Sequence, residues 1–180
     1  RLQNLLNPIY VAGRIRHAIY ERQHPDHPWI SPGSIQWLDT HLRKDMQGFE
    51  WGSGRSTAWF ARRLSSITSI ESDETWHGTV SETLRASCLE NVTLRFIPLE
   101  HEFRERYSPY YPELPAYVRA IETFPDQSLD FVVVDGHYRQ PCIWAALPKI
   151  KPGGYLLLDN SNWLLREYWP VPLSWPLVHE

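Results

Sequence analysis

With 180 residues the chain is long enough for one domain with a single well-formed core, and too short for a second large one. Its net charge of −3 offers no basic field for gripping a phosphate backbone, so no nucleic-acid partner is expected, and no apolar run approaches the ~20 residues of a membrane span. Cys88 and Cys142 lie far apart without CxxC or CxxH spacing, which gives neither a zinc site nor a disulfide framework and fits a reducing, cytoplasmic setting.

The sequence opens on Arg1 and holds a single methionine, Met46, so it reads as a trimmed or processed form of its gene product. Prolines and tryptophans gather in "HPDHPWISPG" and "YWPVPLSWPLVHE", which read as loops or lids. The histidines of "HPDHP" look like a metal tract, but its prolines favour an extended linker with His17, His24 and His27 facing solvent. Residues 1–45 are expected to form a helical or lid segment, with a helix over 34–43 that follows a Ser-Pro-Gly-Ser start.

From residue 46 onward strand and helix periodicities alternate. "MQGFEW" is a short first strand, and Trp59, Phe60 and Leu64 make a helix stripe after it. "ITSIES" is a second strand, and Trp76, Val80 and Leu84 lie four apart on the face of the helix that follows. "VTLRFIP" alternates as a third strand. The polar, aromatic, proline-broken run from Leu99 to Pro115 predicts a mobile loop, and its tyrosines are candidates to line an aromatic acceptor pocket. A helix then carries Tyr117, Ala120, Ile121 and Phe124. "LDFVVVDG" reads as a strand buried on both faces, Ile143, Ala146, Leu147 and Ile150 mark a crossover helix, "KPGG" turns the chain, and "YLLLDN" is a fifth buried strand. Strands separated by helices in this way imply an α/β fold, a doubly wound and mostly parallel sheet with helices on both faces.

In such sheets ligands bind outside the carboxyl ends of the strands. Four of the five predicted ends carry an acid: Glu50, Glu71, Asp135 and Asp159. Turns alone would explain one such acid, but four on a single edge call for a positive or polyhydroxyl ligand. Gly52-x-Gly54 could begin a dinucleotide loop, yet Glu50 would repel a pyrophosphate there, and Thr57 stands at the third glycine position. A carboxylate in that place suits a cation, and S-adenosylmethionine (SAM) offers a sulfonium and an ammonium with no phosphate. Glu71 is placed to accept both ribose hydroxyl protons.

"FEWGSGRST", "SIESD", "LDFVVVDG" and "KPGGYLLLDN" resemble, in order, the core motifs of the class I SAM-dependent methyltransferases over roughly residues 46–162. The resemblance implies a seven-stranded Rossmann-like sheet over residues 46–180, with SAM contacted by Glu50, Gly52, Ser53 and Gly54, and with Glu71 on the ribose. Ser56 stands where many members have a further glycine, and Leu99 or Glu100 takes the adenine-side position. Only twenty residues follow Asn160, too few for the usual last helix and hairpin, so either residues are missing from this chain or the sheet lacks its last strands. Substrate would then be held by the N-terminal segment or by a partner subunit, as in a homodimer.

Asp135, Asp159 and Asn160 would bring three hard oxygens together, a set that suits Mg²⁺ or another divalent cation. They resemble the Asp…Asp-Asn triad of metal-dependent catechol and caffeoyl-CoA O-methyltransferases, whose ion lowers the pKa of the attacking substrate oxygen. Those enzymes commonly place a lysine where this chain has Tyr138. His137 is therefore the candidate general base beside Asp135, and the competing reading has His137 and Arg139 hold the next helix and its loop. The expected activity is methyl transfer to a small-molecule acceptor, at oxygen. The alternatives are an NAD-linked oxidoreductase and a non-catalytic SAM- or nucleoside-binding module.

Overall fold

A computed structural model of the chain describes residues 8–100, 113–163 and 165–179. In chain order the elements are α1 (Pro8–Gln23), α2 (Pro32–His41), β1 (Gln47–Trp51), α3 (Arg55–Ala61), β2 (Ser66–Glu71), α4 (Glu74–Ala86) and β3 (Val92–Phe96), followed by α5 (Ala116–Arg119), β4 (Leu129–Val134), α6 (Arg139–Ala146) and β5 (Ile150–Leu158). The strands form one parallel sheet in the order β3-β2-β1-β4-β5. This is the doubly wound, Rossmann-like arrangement of a methyltransferase sheet. Its direction of winding reverses at β1, between β2 and β4, where such sheets open a crevice at their carboxyl ends.

The apolar run of β4 follows from its central place. Phe131 and Val133 pack with Trp59, Phe60 and Leu64 on one face, and Val132 and Val134 pack with Trp51, Tyr117 and Ile143 on the other. A strand covered on both sides leaves no position for polar alternation. Its one acid, Asp130, sits at the amino end, where it accepts from Gln47 N at 2.8 Å and from Lys151 Nζ at 2.8 Å.

The N-terminal segment joins this core. Ser31 caps α2 by accepting from Ser34 N, Pro32 opens its first turn, and Ile35, Leu38 and Leu42 pack with Phe60 and Phe131. The "HPDHP" run is not an extended linker. The Tyr20 hydroxyl and His27 Nδ1 lie 2.8 Å apart, and the His24 ring stacks on His27, so the two half-buried histidines fasten α1 to the link. The side chain of His17 lies outside the described residues.

Two other local readings change. "KPGG" lies inside β5: two steps along β4, Leu129 to Phe131, are matched by five along β5, Ile150 to Tyr155. Gly153 takes φ +80°, and a Cβ on Gly154 would meet Asp130 O at 2.9 Å, so the bulge needs both glycines. The predicted loop from Leu99 to Pro115, with its candidate pocket tyrosines, falls mostly on residues 101–112 and lies outside the described residues. At its margin Glu100 accepts from Ala116 N at 2.9 Å, which ties it to the start of α5.

The proline-broken tail lies along the edge of β5. Trp169, Val171 and Trp175 pack with Leu156 and Leu158 on the α6 face, while His179 stacks on Trp37 of α2 on the opposite face. The tail therefore contacts both faces of the sheet on the β5 side. Among the described residues no helix is long and apolar enough to cross a membrane.

Candidate functional site

Hydrogen bonds carry the alignment of the central strands past their ends. Gly52 N donates to Ile70 O at 2.9 Å, Asp135 N to Trp51 O at 3.0 Å and Asp159 N to Val134 O at 3.2 Å. These contacts bring Gly52, Ser53, Gly54, Glu71, Asp135, Asp159 and Asn160 to one edge. Glu50 lies one residue inside β1 and takes a different place.

Glu50 faces its register partner Ser69 across the β1–β2 pair, beneath α3. Its carboxylate is fully buried and accepts from Ser56 Oγ at 2.5 Å, Thr57 Oγ1 at 2.6 Å and Ser69 Oγ at 2.7 Å. Burial pushes its pKa up to about 7, against the pull of these hydroxyls. The Thr57 hydroxyl also accepts from Gly54 N at 3.0 Å. Glu50, expected to meet a cation directly, is thus a knot that ties β1, β2 and α3 together and fixes the backbone of the glycine turn. Reading the sequence missed Ser56, Thr57 and Ser69 as its partners, because only parallel pairing of β1 with β2 brings Ser69 alongside.

The two glycines of the turn serve different ends. Gly52 has φ +93°, and a Cβ there would meet Gly136 N at 2.8 Å, so this glycine is required by the fold. Gly54 has extended backbone, and a Cβ would have Ser56 Oγ as its nearest neighbour at 4.0 Å. Nothing in the protein demands glycine at 54. What glycine does there is leave room beside the turn, as a ligand lying against the loop requires.

Glu71 is almost wholly buried at the end of β2. Oε2 accepts from Ser53 Oγ at 2.8 Å and Ser53 N at 3.2 Å, and Oε1 accepts from Ser72 N at 2.7 Å and Asp73 N at 2.8 Å. The acid at the second strand end therefore holds the glycine turn from the opposite side to Glu50.

Asp135, Asp159 and Asn160 do come together, but around a guanidinium. Arg139 Nη2 donates to Asp135 Oδ1 at 3.1 Å, Asn160 Oδ1 at 3.1 Å and Asp135 O at 2.9 Å, and Nη1 donates to Asp159 O. Tyr138, at φ 52°, turns the chain back so that α6 presents this arginine to the strand ends. Burial, then the neighbouring Asp159 carboxylate, push Asp135 up to about 8, and Arg139 offsets part of that push. The proposed Mg²⁺ ligands thus have a resident cation in their midst, and the residues present do not fit a divalent ion as well. Among the described residues no group of three His, Cys, Asp or Glu side chains is arranged to hold a metal. Arg139, expected to hold the next helix and its loop, does hold that loop, through Gly136 O and Asp135.

His137 lies half-buried in the loop that follows Asp135. That loop is packed against Tyr117, whose hydroxyl fills the space where a Cβ on Gly136 would stand. Aromatic residues beside the turn are a further feature that sequence periodicity hid. Trp76, expected on the core face of α4, is more than a third exposed and donates from Nε1 to Ser53 O at 2.8 Å. Trp29 stacks on it, and the Arg55 guanidinium lies over the Trp29 ring at 4.9 Å.

A family model described as a methyltransferase domain matches residues 49–161. A methyltransferase-like protein from Silicibacter pomeroyi is 24% identical with a TM-score of 0.52, over 74% of this chain and 73% of that one. A candidate methyltransferase from Streptococcus mutans, solved in complex with SAH, is 13% identical with a TM-score of 0.53, over 72% of each chain. A precorrin 8W decarboxylase from Methanobacterium thermoautotrophicum is 21% identical with a TM-score of 0.53, over 74% of this chain. The match spans 66% of that decarboxylase's own length, slightly under two thirds. At these identities the likeness is one of fold. No curated protein sequence matches the chain.

Proposed function

The chain belongs to the methyltransferase domain family, and from that premise we propose that it transfers a methyl group from SAM to a small-molecule acceptor, at oxygen. The observation that carries this reading is the glycine turn. Glu50 and Glu71 brace it from two sides, while the side of Gly54 stays clear of protein. A solved structure of the same fold holds SAH, the product SAM leaves after giving up its methyl group.

In this reading Gly52, Ser53 and Gly54 present backbone to the methionine part, and Glu71 takes the ribose hydroxyls. Glu50 acts through the turn it fixes. When bound, SAM supplies an electrophilic methyl on its sulfonium. The chain's own task is then to hold an acceptor oxygen in line and to remove one proton. His137, beside Asp135 in the post-β4 loop, is the group proposed to accept that proton on an imidazole nitrogen. The reading at oxygen draws on the likeness of the β5-end motif to O-methyltransferases, and the −3 net charge favours a small acceptor over a polyanion.

Calorimetric titration with SAH and with NAD, each with and without Mg²⁺, tests the proposal. SAH is expected to bind, NAD is not, and Mg²⁺ should leave both results unchanged. Failure of SAH to bind under every condition would overturn the reading.

A further inference from the structure

Beside the glycine turn lies a cavity of about 460 Å³ lined by Ala18, Arg22, Pro25, Trp29 and Arg55. Pockets for small molecules commonly hold ~300–1,000 Å³. Two guanidinium groups line this one among the described residues, and no carboxylate does. Among the described residues neither the Arg22 nor the Arg55 side chain has a hydrogen bond or ion pair, and the Arg55 guanidinium lies over the Trp29 ring. Two cations of like sign facing one cavity repel each other, and that repulsion is relieved when an anion lies between them. Arginine is also the side chain best shaped to grip a carboxylate or phosphate through paired donors.

The cavity has an aromatic wall as well. Trp29 is more than half exposed and stacks on Trp76 with centroids 6.5 Å apart and planes 19° from parallel. Trp76 in turn is bonded to Ser53 O, so the wall is anchored to the turn that shapes the cofactor side of the site. Arg55 directly follows Gly54. Cavity and turn therefore share one edge of the sheet, as an acceptor site and its cofactor site must.

We propose that this cavity is the acceptor subsite, and that it takes a small planar molecule whose ring lies against Trp29 and whose single anionic group is held by Arg22 and Arg55. The proposal rests on the methyltransferase reading above and adds the chemical class of the acceptor. A carboxylate and a phosphate monoester present the same chemistry to the two arginines. The net charge of −3, with two cations among the described lining residues, favours a small anion over a nucleic-acid backbone.

The test is calorimetry on the full chain saturated with SAH, using 4-hydroxybenzoate, phenyl phosphate and phenol as probes. The two anions are expected to bind at least tenfold more tightly than phenol, and the tighter of them identifies the source of the charge. Arg22→Gln and Arg55→Gln, at exposed positions free of described bonds, should each lose about tenfold for the anions while SAH affinity stays unchanged. Trp29→Ala should weaken all three probes alike. Phenol binding as tightly as the anions, or anion binding indifferent to both arginine substitutions, would overturn the proposal. So would displacement of the anions by a short oligouridylate that binds more tightly. Failure of SAH to bind would strike the methyltransferase reading, whereas normal SAH binding with no anion binding strikes this subsite alone.

Discussion

The guanidinium of Arg139 reaches the carboxylate of Asp135 at 3.1 Å from four residues along the chain, and in doing so stands between the ends of β4 and β5. The same group donates to Asn160 Oδ1 and to the carbonyls of Asp135 and Asp159. With Gly136 O, which accepts from Nε at 3.2 Å, one planar cation thus satisfies five oxygens at a place where backbone carbonyls and an acid would otherwise face one another.

Removing it should be costly. Arg139→Ala leaves Asp135 Oδ1, Asn160 Oδ1 and the carbonyls of Asp135 and Asp159 without their shared donor, a loss of about 1–3 kcal/mol for partly buried acceptors left unsatisfied. Arg139→Lys should recover little of this, since a point ammonium cannot address oxygens on both sides of a planar fork. Urea denaturation of the three proteins measures the difference. Because a guanidinium serves where a divalent ion would sit, EDTA is expected to leave both the melting temperature and SAH binding of the wild type unchanged. A fall of several degrees in EDTA would show that a metal is held after all.

Glu50 gives the molecule a distinctive pH response. Its pKa stands near 7 in the fold against an ordinary 4.5, so between those values the folded state holds more protons than the unfolded state. Stability contributed by this group is therefore complete below pH 4.5, declines through the window and is gone above pH 7, a span of about 3 kcal/mol. Glu50→Gln cannot titrate. Denaturation curves at half-unit steps should show wild-type stability falling relative to the variant across that window and parallel to it outside. Parallel behaviour throughout would mean that Glu50 carries no raised pKa.

These two sites show what the sequence discloses and what it withholds. The strand ends were legible because a buried parallel strand is apolar until it stops, so "LDFVVVDG" and "YLLLDN" mark their own limits. Gly52 was legible because few residues tolerate its conformation. Arg139 was not, since its side chain reaches the β5 end only after Tyr138 bends the chain into the left-handed region. Trp76 was misjudged for a related reason: its spacing with Val80 and Leu84 fits a core stripe, yet the stripe's first turn overhangs the glycine loop, where Ser53 O offers its indole a partner. The "KPGG" bulge reads as a turn because glycine-rich segments serve both, and only the register with β4 tells them apart.

Glu71 is surrounded by donors alone: Ser53 N, Ser53 Oγ, Ser72 N and Asp73 N. In Glu71→Gln the amide nitrogen must face one pair of them, leaving buried N–H groups opposed. A loss of about 2 kcal/mol follows, within the ~1–3 kcal/mol of an unsatisfied buried donor. SAH affinity should fall as well, because the turn loses its outer brace. Urea midpoints and calorimetry on the same preparation check both. An unchanged midpoint would mean that these contacts do not hold the turn.

The glycines at 52 and 54 separate fold from function most sharply. Gly52→Ala places a Cβ 2.8 Å from Gly136 N with φ at +93°, and backbone on the far side cannot yield, so stability should drop by about 2 kcal/mol or more. Gly54→Ala adds the same methyl group where no protein atom lies nearer than 4.0 Å. Its stability should stay within about 0.5 kcal/mol of the wild type, as for a substitution that disturbs no packed feature. The new methyl group does occupy the space reserved beside the turn, and SAH binding should weaken at least tenfold. Melting curves with and without SAH separate the cases: Gly52→Ala melts early in both, while Gly54→Ala melts normally alone and gains less from the ligand. A Gly54→Ala protein that binds SAH as the wild type does would show that the ligand lies elsewhere than against this turn.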